Sequence, residues 1–385
     1  MRTLLACIQL LFAVTLAKSQ TDSITISGEL KGLNNNKIGI SYVDEDGKNR
    51  FGALQVINDK FFGKLKAQTM PTGARLSINW PRDPSAKSSM FTPPFNFFVW
   101  DKDLYITGDA NSIPNIRIKG DAENNLYDAL KQQTSRFEIR SQELFTLLTS
   151  DDKKISTEDS LNLHQEIREN SMAGYAKQRD FIKSHPNNFT SVFLLSRMAN
   201  LYSADNYVAA WNALAPTYKN TAPGKSIQKK VEVLTPTLAG TPGFDFERLD
   251  KDGNTVSPAL LKGKTFLLDF WGSWCGPCRA SHPHLKELYK KYKGKGFEII
   301  AVAQERGKTL ADSKASWLKA IQDDQISWVH ILNQDGIEKQ DVVKTYHVNA
   351  FPTKILIDAQ GKIILRVTAS ATDDIDKALR KIYGF

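Results

Sequence analysis

The sequence predicts a multidomain chain: an N-terminal antiparallel β domain, a helical middle region and a C-terminal α/β domain. Three observations predict it. Residues 20–120 carry short alternating apolar runs separated by Gly, Asn, Asp and Pro, the pattern of half-buried strands. Residues 121–235 are poor in Gly and repeat apolar side chains every three or four positions, the pattern of helices with one packed face. Residues 236–385 alternate continuous apolar runs with helical segments, as in a sheet covered by helices. The 385 residues, 41% hydrophobic and 24% charged, suit two or three globular domains whose cores need no disulfide staples.

Residues 1–19 read as an export signal. Arg2 gives a positive start, Leu4 to Leu16 is apolar apart from Gln and Thr, and Ala17-Lys18-Ser19 offers the small residues of a cleavage site. The run is short for a membrane span. The expected location is therefore periplasmic, with membrane association through an uncleaved signal as the alternative.

In the β region, Ile24 to Ile26, Ile38 to Val43, Arg75 to Trp80, Leu104 to Thr107 and Ile116 to Lys119 are the expected strands, with a turn at Asp44 to Gly47. Their spacing suits a sandwich or a barrel-like domain. Pro93-Pro94 with Phe95, Phe97 and Phe98 reads as core packing. In the middle region, Leu126, Leu130 and Phe137, then Ile139, Leu144 and Leu148, mark a first helical stretch. Further helices are expected over 157–184, 189–203 and 205–214. Ser184 to Asn188 is a break with a helix start, and Pro216 and Thr221 to Gly224 read as connectors.

In the last region, Phe266 to Phe270 is a buried strand, a helix runs from Gly276 to Tyr292, and Phe297 to Val302 is the next strand. A helix over 309–322, a hairpin of Ile355 to Ile357 with Ile363 to Val367, and a closing helix over 372–382 complete an α/β pattern. Asp250 to Asn254 is too short for a calcium loop and reads as a hairpin turn.

Of the three cysteines, Cys7 lies within the signal, which leaves Cys275 and Cys278. A loop this short constrains little of the unfolded chain, so chemistry explains the pair better than stapling. Cys275-Gly276-Pro277-Cys278 follows a buried strand and opens a helix. Unpaired amides and the peptide dipoles at a helix start favour an anion, so the Cys275 thiol is expected to ionise readily. Pro277 sits where its missing N–H costs nothing, and Gly276 admits a close substrate. Cys278, nearly one turn on, is placed to attack a mixed disulfide at Cys275. Asp269, on the preceding strand among Phe266, Leu267, Leu268 and Phe270, is expected to be a buried carboxyl with a raised pKa that exchanges a proton with Cys278. The alternative is a carboxylate at a solvated or hydrogen-bonded edge. Phe351-Pro352 precedes a strand, and a cis bond there would offer the Phe351 backbone to an extended substrate.

Asp269-Phe270-Trp271-Gly272-Ser273-Trp274-Cys275-Gly276-Pro277-Cys278 resembles the active-site strand and turn of thioredoxin. The resemblance covers about 140 residues, from Gly243 to the C-terminus, with Pro283 at the kink proline and Phe351-Pro352-Thr353 at the cis-proline loop. It implies a thioredoxin-like fold with Asp269 as buried acid, Cys275 as nucleophile, Cys278 as resolving cysteine and Pro352 as cis-proline. Trp274, Gly276, Pro277 and Phe351 are then the candidate substrate contacts. The signal and the segment from Pro242-Gly243-Phe244 to Thr255-Val256 further resemble the TlpA/ResA branch of periplasmic disulfide reductases, and the three-part order resembles an architecture common in Bacteroidota. Many members of that branch carry a Glu three residues after the second cysteine, where this chain has Ser281. A Glu-dependent proton path is therefore not carried over, and Asp269 is left to take that part.

The expected partners are disulfide-containing exported proteins and a membrane thiol donor. The formal charge of +9 is interleaved with acids, so no nucleic-acid partner is expected. Lys290, Lys291, Lys293 and Lys295 read as a solvated helix end. Cys275, Cys278, His282 and His284 include zinc-ligand types, but Pro283 separates the histidines. The expectation is no metal and no cofactor, with both histidines exposed on the helix. Two functional classes remain at this point: a disulfide reductase, with an oxidase or isomerase as variants, and a binding or chaperone-like module with a secondary redox domain.

Overall fold

The computed structural model describes residues 22–80, 94–149, 155–368 and 374–384. The expected signal with Cys7, and Pro93, lie outside these residues. The described chain divides into two compact units, one up to Asn125 and one from Leu126.

The first unit contains β1 (Ser23–Lys31), β2 (Lys37–Val43), β3 (Asn49–Ile57), β4 (Lys60–Lys66), β5 (Thr72–Asn79), β6 (Phe95–Val99), β7 (Leu104–Asp109) and β8 (Arg117–Lys119). They form one sheet in the order β6-β5-β2-β3-β4-β1-β7-β8, antiparallel except for the β1/β7 pair. The expected strands are all present, joined in a single sheet instead of the two of a sandwich. Alternation places Ile24, Ile26 and Leu30 of β1 in the core beside Phe95 and Phe97, which are fully buried as expected. The hairpin β3–β4 was not anticipated. Most of β3 is exposed, so its apolar pattern is weak, and its two-residue turn is Asn58-Asp59, not Asn-Gly. Asn58 takes the left-handed conformation there (φ 56°).

Helix α1 (Ala122–Thr149) crosses the division, and the second unit continues with α2 (Thr157–Ser184), α3 (Phe189–Arg197), α4 (Ala204–Ala213) and α5 (Ala222–Leu234). No described helix is long and apolar enough to cross a membrane. The helix α5 corrects the reading of Thr221 to Gly224 as a connector. Thr221 is its N-cap, with the side-chain oxygen accepting from the Gly224 N–H at 3.4 Å, and Pro223 lies in the first turn. Proline there removes an N–H that has no helical partner, so it starts a helix as readily as it ends one.

The α/β part contains β9 (Arg248–Leu249), β10 (Thr255–Val256), β11 (Thr265–Trp271), α6 (Gly276–Ala280), α7 (His282–Tyr292), β12 (Phe297–Ala303), α8 (Leu310–Asp324), β13 (Val329–Leu332), α9 (Val342–Thr345), β14 (Thr353–Ile357), β15 (Ile363–Thr368) and α10 (Asp374–Tyr383). Asp250 to Asn254 forms the β9–β10 turn, as expected, with Asp250 accepting from the Asp252 and Asn254 amides at 2.8 Å. The five-stranded sheet runs β13-β12-β11-β14-β15, with β11, β12 and β13 parallel and β14 and β15 antiparallel. Right-handed crossovers in one direction put α7 and α8 on the same face. Leu267 and Trp271 of β11 pack there with Leu285, Leu288, Trp317 and both cysteines. Phe266, Leu268 and Phe270 pack on the other face with Val342 and Tyr346. Burial on both faces is why β11 is apolar almost throughout, and the period of two puts Asp269 on the cysteine face.

His330 of β13 is buried on that same face, stacked on Trp328 (5.9 Å, 28°) and edge-on to Trp271 (6.2 Å). Neither ring nitrogen makes a hydrogen bond of normal geometry among the described residues. Burial pushes its pKa down to about 3, with His282 and Lys251 adding repulsion. The folded value lies below the unfolded one, so the unfolded chain binds this proton first as pH falls. Stability from neutral His330 is therefore complete above about pH 6.5 and is lost as pH drops toward 3. The loss is on the order of 5 kcal/mol. In urea titrations at stepped pH, His330→Leu is expected to flatten this acid slope, and an unchanged slope would contradict the assignment.

Candidate active site

The strand β11 delivers the chain to a tight turn. The Gly272 C=O accepts from the Cys275 N–H at 3.0 Å, and the Trp271 C=O accepts from the Gln304 N–H at 2.8 Å. A Cβ on Gly272 would lie 2.5 Å from Trp274 Nε1 and 2.7 Å from the Gln304 oxygen, so only glycine fits. Trp274 Nε1 donates to that oxygen at 2.8 Å. Ser273 is held from the same side, its N–H and Oγ donating to the buried Glu305 carboxylate at 2.8 and 2.6 Å. Gln304 and Glu305, which follow β12, escaped the sequence reading because nothing local links them to the cysteines.

Cys275 is the N-cap of α6, and its Sγ accepts from the Cys278 N–H at 3.3 Å. The two cysteines form a disulfide with an S–S length of 2.04 Å. Pro277 lies in the first turn. Gly276 and Pro277 are exposed, and a Cβ on Gly276 would meet nothing within 4 Å, so this side of the disulfide is open. The expected helix from Gly276 to Tyr292 is two helices that break at Ser281. Pro283 has no N–H to return to the Arg279 carbonyl, which accounts for the break.

Trp274 is 36% exposed and meets Phe351 edge-on at 5.7 Å, while the Arg306 guanidinium lies 3.3 Å from its ring centroid. The Phe351–Pro352 peptide is cis, and Pro352 is buried. Among the described residues, no other backbone group takes the Phe351 N–H or C=O. Trp274 and Phe351 are thus in contact, and Gly276 and Pro277 lie on the open side of the turn.

Asp269 is 1% exposed, but its setting is not purely apolar. Lys354 lies directly opposite it across β11 and β14, is itself buried, and puts Nζ 3.3 Å from Asp269 Oδ1. Neither Asp269 oxygen accepts a hydrogen bond of normal geometry among the described residues. Lys354 sits in a strand the sequence marks as apolar, and its pairing is visible only from strand register.

The expectation that His282 is an exposed helix residue is corrected. It is buried, edge-on to Trp271 at 5.0 Å, and its Nδ1 contacts Asp324 Oδ2 at 2.8 Å. Arg279 clamps the same carboxylate through Nε and Nη2 at 2.6–3.1 Å. Burial opposes the charge on Asp324, yet the Arg279 and His282 contacts outweigh it and hold its carboxyl below the usual range. The result is a polar bolt between the cysteine-bearing helices and the end of α8. His284 is exposed, as expected, and bonds Asp376 at 3.1 Å. Lys290, Lys291, Lys293 and Lys295 face solvent at the end of α7 and just beyond.

A family model described as Redoxin matches residues 236–380. Over 146 residues the chain is 32% identical to thiol-disulfide oxidoreductase ResA of Bacillus thuringiensis (strain Al Hakam), covering 36% of this chain and 75% of that relative. The chain belongs to the ResA-type thiol–disulfide oxidoreductase family. ResA of Bacillus subtilis (strain 168) is 31% identical over 134 residues, 35% of this chain and 68% of its own length. A solved thioredoxin domain of a thiol-disulfide oxidoreductase from Bacteroides vulgatus shares 34% identity, covering 37% of this chain and 96% of its own, with a TM-score of 0.32. This ResA-type chain is therefore an enzyme of the thioredoxin-like protein-disulfide reductase type, and its substrates are disulfide-containing proteins.

Proposed function

We propose that the enzyme works as a disulfide reductase in an extracytoplasmic compartment. Residues 1–19 are its export signal, 20–120 a β domain, 121–235 a helical region and 236–385 the redox domain. Cys275 is the nucleophile, Cys278 the resolving cysteine and Asp269 the group that handles the proton of Cys278. A substrate strand lies against Phe351 and Pro352, with Trp274, Gly276 and Pro277 completing its seat. A membrane thiol donor re-reduces the pair.

The observation that carries this reading is the cap. A sulfur at the N-cap of α6, already accepting the Cys278 amide, sits where unpaired N–H groups favour a thiolate. From there the chemistry balances. The Cys275 thiolate attacks a substrate sulfur, one substrate thiol leaves and a mixed disulfide remains. Cys278 then loses its proton and bonds to Cys275, and the second substrate thiol departs. The substrate gains two electrons and the cysteine pair loses them.

The test is capture of the intermediate. Cys278→Ser is expected to accumulate a mixed disulfide with substrate proteins, seen as bands on non-reducing gels that vanish with dithiothreitol. The Cys275→Ser/Cys278→Ser double variant should show none. Equal bands in both would overturn the assignment of Cys275.

A further inference from the structure

We infer that Lys354, acting with Ser281, is a positioning residue for the resolving step, wiring the buried Asp269 to the turn that carries Cys278. The inference rests on the proposed role of Cys278. Three contacts make the connection. Lys354 Nζ lies 3.3 Å from Asp269 Oδ1. The same ammonium donates to Ser281 Oγ at 3.1 Å. Ser281 Oγ in turn donates to the carbonyl oxygen of Cys278 at 2.7 Å.

Each link is short; the Asp269–Lys354 pair is buried and the two Ser281 links are half-buried. Lys354 is 5% exposed and Asp269 1%. Antiparallel register makes the two directly opposite, so both side chains rise from the sheet toward the face that carries α6 and Cys278. Ser281 is the residue at which α6 breaks from α7. The break frees this residue from the regular helix and turns its hydroxyl back to Cys278. A charge so placed acts on chemistry because a low local dielectric screens it little.

The resolving step creates negative charge in this pocket. The Cys278 thiol gives up its proton to the Asp269 carboxylate, its sulfur bonds to Cys275, and the Cys275–substrate bond breaks with the electron pair on the departing sulfur. The ammonium of Lys354 is the buried cation that faces this step from β14. It offsets the Asp269 carboxylate and leaves the first attack, at Cys275 beside the open turn at Gly276, largely untouched. Ser281 transmits the position of that ammonium to the Cys278 backbone, so Asp269, Lys354 and the turn are held as one unit.

Ellman's reagent separates the two steps in the reduced protein. Attack by Cys275 releases one thionitrobenzoate at a rate proportional to reagent concentration. Resolution by Cys278 releases a second at a rate independent of it. Removing the cation with Lys354→Met is expected to slow the second phase about tenfold at neutral pH and to raise its pH midpoint by about one unit. The first phase should stay within about twofold. Lys354→Arg, which keeps the charge, should restore most of the second phase. A merely structural role would leave the midpoint in place, and a folded Lys354→Met with the wild-type midpoint would overturn the inference. Should Lys354→Met fail to fold, Ser281→Ala decides, since both charges remain: a slower second phase supports the wiring and an unchanged one overturns it. Cys278→Ser tests the underlying reading separately. If it retains the concentration-independent phase, the role of Cys278 itself fails.

Discussion

Replacing Cys275 by alanine is expected to abolish reduction of insulin by the dithiothreitol-coupled enzyme, lowering the rate on the order of 10³-fold, to that of dithiothreitol alone. The reason is chemical. Cys275 is the sulfur at the helix cap beside the open side of the turn at Gly276, and no neighbouring group replaces a thiolate in sulfur–sulfur exchange. Cys278 is more deeply buried, at 1% exposure. Left alone it should react slowly, so its activity in the Cys275→Ala variant measures how far exposure and capping together favour residue 275. The fold should survive, because the disulfide closes a loop too short to contribute much stability. Turbidity from precipitating insulin chains reads the first result and a thermal melt reads the second. Activity retained in the variant would remove Cys275 from the mechanism.

Arg366→Met is expected to destabilise the enzyme by about 3 kcal/mol. The Arg366 side chain is 1% exposed and donates through Nη1 to Thr237 Oγ1 at 2.8 Å and to the Tyr346 carbonyl at 2.7 Å, and through Nη2 to the His347 carbonyl at 3.0 Å. Burial pushes its pKa down to about 10, so holding the charge there costs roughly 3 kcal/mol. Three hydrogen bonds from a charged donor, at roughly 1.5–3 kcal/mol each, exceed that cost. Methionine fills the space but leaves the three acceptors without their donor. His347 is one of four described non-glycine residues with positive φ (51°), and its carbonyl is held by this arginine. The loop leading to Phe351 and Pro352 should therefore loosen with the loss. A lower urea midpoint, together with a higher KM for a folded disulfide protein and an unchanged first Ellman phase, is the expected pattern. A wild-type midpoint would mean that desolvation cancels the three bonds.

Strands with strict alternation, such as Ile24 to Ile26, were legible because one face of each is buried. The hairpin β3–β4 was not, because its outward face is nearly as apolar as its inward one, with Phe51 and Phe62 exposed. The extent of α2 was legible from its periodicity over 157–184 and the Ser184 to Asn188 break, while its cap, Ser156, was not singled out. The start of α5 was hidden by Pro223-Gly224, which punctuates a loop or opens a helix with equal ease. At the site, Asp269 and the run from Trp274 to Cys278 could be singled out because strand, turn and cap are consecutive. His282 was misread because helical periodicity places it on a face without naming what covers that face. The cover is Trp271 and Trp328, with Asp324 as its polar partner.

The sequence by itself determined the redox turn: a buried strand, a sulfur at a helix start and a second sulfur one turn later. Those features are set by steric and hydrogen-bonding rules that act over a few neighbouring residues. Only the tertiary structure decided what surrounds them. Lys354 against Asp269, Glu305 under Ser273, Asp324 between Arg279 and His282, and Arg366 beneath the Phe351 loop are partnerships of strand register and helix packing. A charged side chain written in the sequence carries no sign of its partner, because burial becomes tolerable only when a distant segment brings the complementary group.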